Sequence, residues 1–355
     1  DGNEIYLAAP KVTKTLTVAK KNLLVGVQNA ARPVGSNNPP FTITYSGFIN
    51  GEDESVLDKK SVAMTVATSK SAIGIYPIKL SGGVDNNYTF TYTDGVIQVK
   101  GVSGGFEAML LDNNQVAVGK LEVTVSSTAA AYSGKLTLGS QAAVQTIAGT
   151  LTYNSEGNTA TAAIARAATS GTPAISGSLS IDAGTLNATL TVGGQELSTG
   201  STGALRWVPS ASVKKAPWTG SYTMLLSGAG SGSDSPNGDG YAVVSTAPTT
   251  GIMTITGKLA DGTALSGTAN PDANGKYRVF MKPYGTRLNS FVSGVLEFNI
   301  DAEDGLYHVN TGALTWIKAA ATTDKSYRAG FGPISLPVTV AVSYTHLRAH
   351  ETRED

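Results

Sequence analysis

The chain contains no cysteine. Disulfides, thiolate metal sites and thiol nucleophiles are therefore excluded. Charge is scarce too: 15% of residues are Asp, Glu, Lys or Arg, against about 25% in ordinary globular chains. The 26 basic and 26 acidic residues cancel, which argues against a nucleic-acid partner or insertion at an anionic membrane, since both need a basic surface. Only three histidines occur. Apolar residues nevertheless make up 41% of the chain, enough for packed cores and unlike a disordered segment. The 355 residues allow two or three domains.

Gly, Ser, Thr and Ala dominate what is present, and nearly every segment has period two. Tyr88, Phe90 and Tyr92 alternate with Thr89, Thr91 and Thr93, and Leu121, Val123 and Val125 with Glu122 and Thr124. Leu186, Ala188, Leu190 and Val192 alternate in the same way, as do Leu296, Phe298 and Ile300. Turn clusters such as Ser81-Gly82-Gly83, Gly193-Gly194 and Asp261-Gly262 separate the runs. Many short strands between Gly, Asn and Asp turns predict an all-β fold. Asp94-Gly95, lying between two alternating runs, predicts a hairpin. Thr159 to Ala168 is Ala-rich and intrinsically helical. It is read as a strand, because repeat logic sets it opposite the strand Tyr277 to Met281.

Repetition marks the region from Gly101 to Ala341. TGALRW (Thr202 to Trp207) recurs as TGALTW (Thr311 to Trp316). Met109-Leu110-Leu111 recurs as Met224-Leu225-Leu226, and Ser133-Gly134-Lys135-Leu136 as Thr256-Gly257-Lys258-Leu259. The order is kept while loops vary. The expectation is a duplicated antiparallel β-meander, residues 101–208 and 217–341, around a linker at Pro209 to Pro217. The units either share one core or close into barrels.

The segment 18–100 resembles the MBG domain of YGX type, a bacterial immunoglobulin-like surface module. The resemblance is carried by RPVGSNNP (Arg32 to Pro39), FTITYSGFINGED (Phe41 to Asp53), GIYPIKLSGG (Gly74 to Gly83) and NYTFTYTDGVIQV (Asn87 to Val99). The family's Tyr-Gly is Val34-Gly35 here; Gly35 still supplies the turn. The resemblance implies an immunoglobulin-like β-sandwich and an extracellular or cell-surface location in a bacterium. The region 101–341 more weakly resembles paired β-repeat units that accompany such modules in large surface proteins. Residues 1–17 read as the last strands of a preceding immunoglobulin-like domain. The tail VSYTHLRAHET (Val342 to Thr352) resembles a translated sequencing adapter, so 342–355 are set aside as artefactual. With them go His346, His350 and Glu351, whose spacing imitates a helical metal motif.

Little catalytic chemistry remains. His308, in LYHVN, reads as a strand histidine at the surface or a sheet edge rather than a general base, since no partner constellation accompanies it. There is no G-x-S-x-G elbow. Gly134-Lys135 and Gly257-Lys258 are each followed by Leu, where a P-loop needs Ser or Thr. No catalytic residue and no resident cofactor is expected. Asp234, Asn237 and Asp239 in one Gly-rich loop, and Asp301, Glu303 and Asp304 in another, are candidate Ca²⁺ ligands, with solvated turns as the competing reading. Trp207 and Trp316 mark the same place in the repeat and are expected in the core, whereas Trp218, just after the linker, is the candidate exposed ring for a sugar. Lys20, Lys21, Lys59 and Lys60 are candidate guards of edge strands. Two functions compete: a non-enzymatic stalk or adhesion segment of a bacterial surface protein, and a carbohydrate-binding module attached to an enzyme. The expected partners are a surface glycan or another surface protein, and neighbouring modules of the same chain.

Overall fold

The computed structural model describes residues 10–228, 234–300 and 307–342. It is all-β among these residues, apart from one short 3-10 turn at Glu54–Val56. The described residues divide into two compact units, with the divisions falling after residues 32, 35 and 99, so that 33–35 go with the second unit.

The first unit is a sandwich of short strands. They are β1 (Lys21–Val27), β2 (Ala30–Pro33), β3 (Ile43–Ser46), β4 (Val62–Thr65), β5 (Gly74–Ser81), β6 (Tyr88–Thr93) and β7 (Gly95–Lys100). One sheet has the order β3-β1-β6, the other β2-β7-β5-β4. Leu23, Val25, Ile78, Leu80, Tyr88 and Ile97 fill the space between them. The aromatic face of Tyr88, Phe90 and Tyr92 turns inward and the threonines outward, as the alternation requires. Gly35 turns the chain after β2 with φ +83°, a left-handed conformation that glycine adopts without strain.

Two local expectations fail here. Asp94-Gly95 makes no hairpin: β6 and β7 belong to different sheets. The Asp94 carboxylate accepts from the Leu80 N–H (3.1 Å) and from Lys79 Nζ (2.6 Å), which ties the crossing to β5 and delivers β7 to that strand. Lys21 lies in β1, the central strand of its sheet, and guards no edge. Lys20 donates to the Asp85 carbonyl, and Lys60 pairs with Glu54.

The second unit holds two consecutive sheets. The first is ten-stranded: β8 (Gly104–Leu111), β9 (Ala117–Val125), β10 (Ala131–Leu138), β11 (Gln145–Thr150), β12 (Thr152–Tyr153), β13 (Thr159–Arg166), β14 (Ile175–Asp182), β15 (Thr185–Val192), β16 (Gln195–Ser198) and β17 (Ala204–Leu205). The second is nine-stranded: β18 (Gly220–Leu226), β19 (Gly240–Thr246), β20 (Met253–Lys258), β21 (Ala264–Ala269), β22 (Lys276–Met281), β23 (Phe291–Ile300), β24 (Tyr307–Thr311), β25 (Ala313–Lys318) and β26 (Phe331–Val342). Both wind alike. Four meandering strands come first, and the last strands return to pair with the first, β16 and β17 on β8 and β26 on β18. Each sheet is thereby a nearly closed barrel with one seam, between β11 and β13 in one and between β21 and β22 in the other.

The longer strands whose side chains are described turn one apolar row inward. The Ala-rich segment is indeed a strand, β13, pairing with β14 along its length. Its Ala160, Ala162 and Ile164 enter the core, so tertiary pairing overrides helical propensity. The two barrels have separate cores, one drawn wholly from residues 106–197 and the other from 216–340, with Trp207 packed on the rim of the second.

The sequence matches between the units are not all equivalent in space. Gly134 and Gly257 both lie on the third strand, each beside a core leucine, Leu136 or Leu259. Met-Leu-Leu lies on the first strand of each barrel, but Leu110 is in its core while Leu225 is exposed. A one-residue offset has reversed the faces. The Trp207 and Trp316 hexapeptides occupy different strands. TGALRW runs through β17, which pairs with the first strand of its barrel, whereas β25 is separated from β18 by β26.

Candidate functional site: a buried charge joint between the barrels

The TGALRW segment positions a polar cluster of several charged side chains. Thr202 Oγ1 accepts from the Met109 N–H and donates its one hydrogen to the Thr199 carbonyl at 2.7 Å, with the Met109 carbonyl also in reach at 3.1 Å. This fixes the chain as it leaves the first barrel. The Trp207 N–H then donates to the Pro271 carbonyl (2.8 Å), and Arg206 forms an antiparallel bridge with Asp272. The first barrel thus ends by pairing with the second.

Charged side chains converge at this crossing. Glu107, on β8, is 1% exposed. One of its oxygens lies 2.8 Å from Arg206 Nε and accepts from Asn270 Nδ2; the other lies 3.6 Å from Lys120 Nζ. Burial raises the Glu107 pKa, opposed by Lys120 and Arg206. Arg206 also bonds Glu122 at 2.8 Å. On the other side, buried Arg278 pairs with buried Asp272 at 3.0 Å, and its Nε donates to the Thr202 carbonyl. Asp272 spends its second oxygen on the N–H groups of Asn274 and Lys276. Further bonds cross the joint. Ser293 donates to Ala117 O, Lys282 to Gln141 O and the Asn289 N–H to Gly139 O. The Phe291 ring sits where a Cβ on Gly139 would stand 2.4 Å away, a space open only because residue 139 is glycine.

A second cluster lies in the loops at one end of the second barrel, around a cavity of about 180 Å³. Lys318 Nζ is 3.0 Å from Asp324 and 3.8 Å from Asp261, and stands over the rings of Tyr284, Tyr327 and Phe331. Trp316 Nε1 donates to the Tyr284 hydroxyl, which donates to Asp261. Burial and the Asp261 carboxylate push the Tyr284 phenol well above its ordinary range. Arg287 grips both Asp324 oxygens at 2.6 Å, and with Lys318 it holds that carboxyl far below the usual range. Asp324 therefore contributes stability above the ordinary carboxylate pKa of about 4, and that contribution is lost as pH falls towards the folded value. The expected result is that Asp324→Asn lowers the melting temperature at pH 7 and flattens its fall between pH 4 and pH 2, read by thermal scans across that range.

The residues singled out in the sequence do not assemble into one site. Trp218 is 3% exposed, not an open ring. It meets Trp207 edge-on at 71° and Tyr277 at 83°, so it offers no flat platform to a sugar. The chain after the linker turns inward at Trp218 because Tyr222 and Thr246 hydroxyls both bond its carbonyl. Trp316 is fully buried, as expected of a core residue, while Trp207 is half-buried and packs on the core of the neighbouring barrel rather than its own. Asp234, Asn237 and Asp239 are exposed, and Asp239 accepts from the Gly228 N–H. No group of three or more His, Cys, Asp or Glu able to hold a metal ion occurs among the described residues. His308 lies in β24, opposite Asn299. Asp301, Glu303, Asp304 and the tail with His346, His350 and Glu351 lie outside the described residues. The charge joint was missed in the sequence because its members lie far apart in the chain, from Glu107 to Arg278. The one available signal was Arg at the fifth place of TGALRW, where the second copy has Thr315.

Fold and clusters together define an all-β protein of a sandwich followed by two barrels, the barrels joined by a β-bridge and buried hydrogen bonds. Residues 23–98 match the family model of the MBG domain (YGX type). This is a non-catalytic module family associated with bacterial surface proteins. Comparison with characterised proteins and with solved structures finds no match to the chain. Among the described residues, no helix is long and apolar enough to cross a membrane.

Proposed function

We propose that the chain is a non-enzymatic structural segment of a bacterial surface protein, in which the barrel pair acts as a rigid extracellular spacer following the MBG module. The buried joint carries this reading. Two barrels with separate cores are held by a paired β-bridge and by buried hydrogen bonds that cross between them, from Asn270 to Glu107 and from Arg278 to the Thr202 carbonyl. Glu107 and Arg278 are each fixed by an ion pair within their own barrel, so the bonds they make across the joint have one good geometry and set orientation. The MBG match supports the surface location.

The absence of cysteine makes the test clean. Ser178 on β14 and Val243 on β19 are exposed and lie on different barrels, so Ser178→Cys with Val243→Cys places exactly two spin labels. A single narrow distance distribution by double electron–electron resonance is expected. A broad or bimodal one would show freely jointed barrels and end the spacer reading.

A further inference from the structure

The seam of the first barrel is built unlike that of the second. In the second barrel Met281 of β22 lies against Gly267 of β21, where a Cβ would stand 2.6 Å from the Met281 Cγ. The corresponding strand of the first barrel, β13, turns the smaller Ala160 and Ala162 inward with Ile164, and carries Ala163 and Ala165 on its exposed face. Strand pairing joins its seam only at one end, where Thr152 and Tyr153 pair with Thr161 and Ala160, while the Arg166 side chain spans the other end to Gln145 and the Thr146 carbonyl. Beyond that the strands splay: β11 pairs only with β10, and residues 162–166 pair only with β14. A groove of about 500 Å³ opens between them, lined by Thr146, Ile147 and Ala148 on one side and Ile164, Ala165 and Arg166 on the other.

Each edge facing this groove presents backbone N–H and C=O groups unused by a neighbouring strand, the requirement for adding a strand. The groove also carries uncompensated positive charge. The Arg166 guanidinium bonds only neutral acceptors: the Thr146 and Pro173 carbonyls and Gln145 Oε1. Lys135 stands exposed on β10, opposite Thr146, with no hydrogen bond or ion pair among the described residues. The remaining charges in the lining, Arg206 and Glu122, satisfy each other. We propose that this seam takes up an extended, acidic peptide segment of a partner protein as an additional β-strand, with backbone bonds to both edges and a carboxylate between Lys135 and Arg166. The six residues of β11 span roughly 20 Å at about 3.3 Å per residue, so a six-residue segment suffices.

The test uses two fluorescein-labelled peptides on the full chain, Thr-Val-Glu-Val-Glu-Val and Thr-Pro-Glu-Pro-Glu-Val. They carry equal charge, but the second cannot complete a ladder. The first is expected to bind saturably by anisotropy and to slow amide exchange at 145–149 and 162–166, and the proline peptide to bind at least ten-fold more weakly. Lys135→Glu should weaken binding about ten-fold, and Ala165→Phe should abolish it by filling the groove. Both positions are exposed, so the circular dichroism spectrum should not change. Equal binding of the two peptides would overturn the proposal, as would unaltered exchange at the seam or undiminished binding by folded Ala165→Phe. Concentration-dependent dimerisation through the seam without peptide uptake would assign it to a second copy of the chain and overturn it equally.

Discussion

Asp272→Ala is expected to destabilise the barrel pair by about 3–5 kcal/mol, the cost of leaving a buried cation without its partner. Arg278 cannot escape to water. It is nearly fully buried, its Nε is committed to the Thr202 carbonyl, and Asp272 is its only carboxylate among the described residues. The same substitution removes the acceptor for the Asn274 and Lys276 N–H groups. Asp272→Ala combined with Arg278→Met should recover much of the loss, because a well-packed apolar side chain replaces a desolvated ion pair at little net cost. Equilibrium denaturation by urea measures both. The double variant should also broaden the distance distribution between labels on the two barrels, since it removes the Arg278 bond to the Thr202 carbonyl of the first barrel. A single variant within about 0.5 kcal/mol of the parent, the usual range of an inconsequential surface change, would show that the joint is solvated and not structural.

Trp218→Ala is expected to cost about 3–5 kcal/mol, the range for deleting a large buried aromatic. The ring lies among Trp207, Tyr277 and the glycine at position 275, so its removal opens a cavity where Trp207 meets the second core. Trp218→Phe should cost much less. The indole N–H is buried without a hydrogen-bond partner, and phenylalanine removes that unsatisfied donor while keeping most of the packing. A thermal melt on the three proteins gives the order parent, Trp218→Phe, Trp218→Ala. The opposite pattern, an unchanged melt with glycan binding lost, would restore this residue as a sugar platform.

Much of the fold was legible because alternation is a local property. Leu121, Val123 and Val125 face inward whichever strand lies beside them, and so do Leu186, Ala188, Leu190 and Val192. The MBG match was legible for a related reason, since its turns and aromatic strand form contiguous blocks. Asp94-Gly95 misled because its two flanking strands satisfy the same pattern whether they pair with each other or cross between sheets. The decision came from the Asp94 carboxylate on Leu80, a contact fourteen residues distant. Trp207 misled because a hexapeptide repeat preserves residue types, not strand partners.

The sequence alone determined that this protein is built of sheets, carries an MBG module and lacks thiol chemistry, because residue type and a period of two are written in consecutive positions. Only the tertiary structure decided where the barrels close, which tryptophan is covered, and that Glu107, Arg206, Asp272 and Arg278 meet. These depend on strands finding partners across long stretches of chain, and a shift of one residue in such a pairing turns every side chain to the other face.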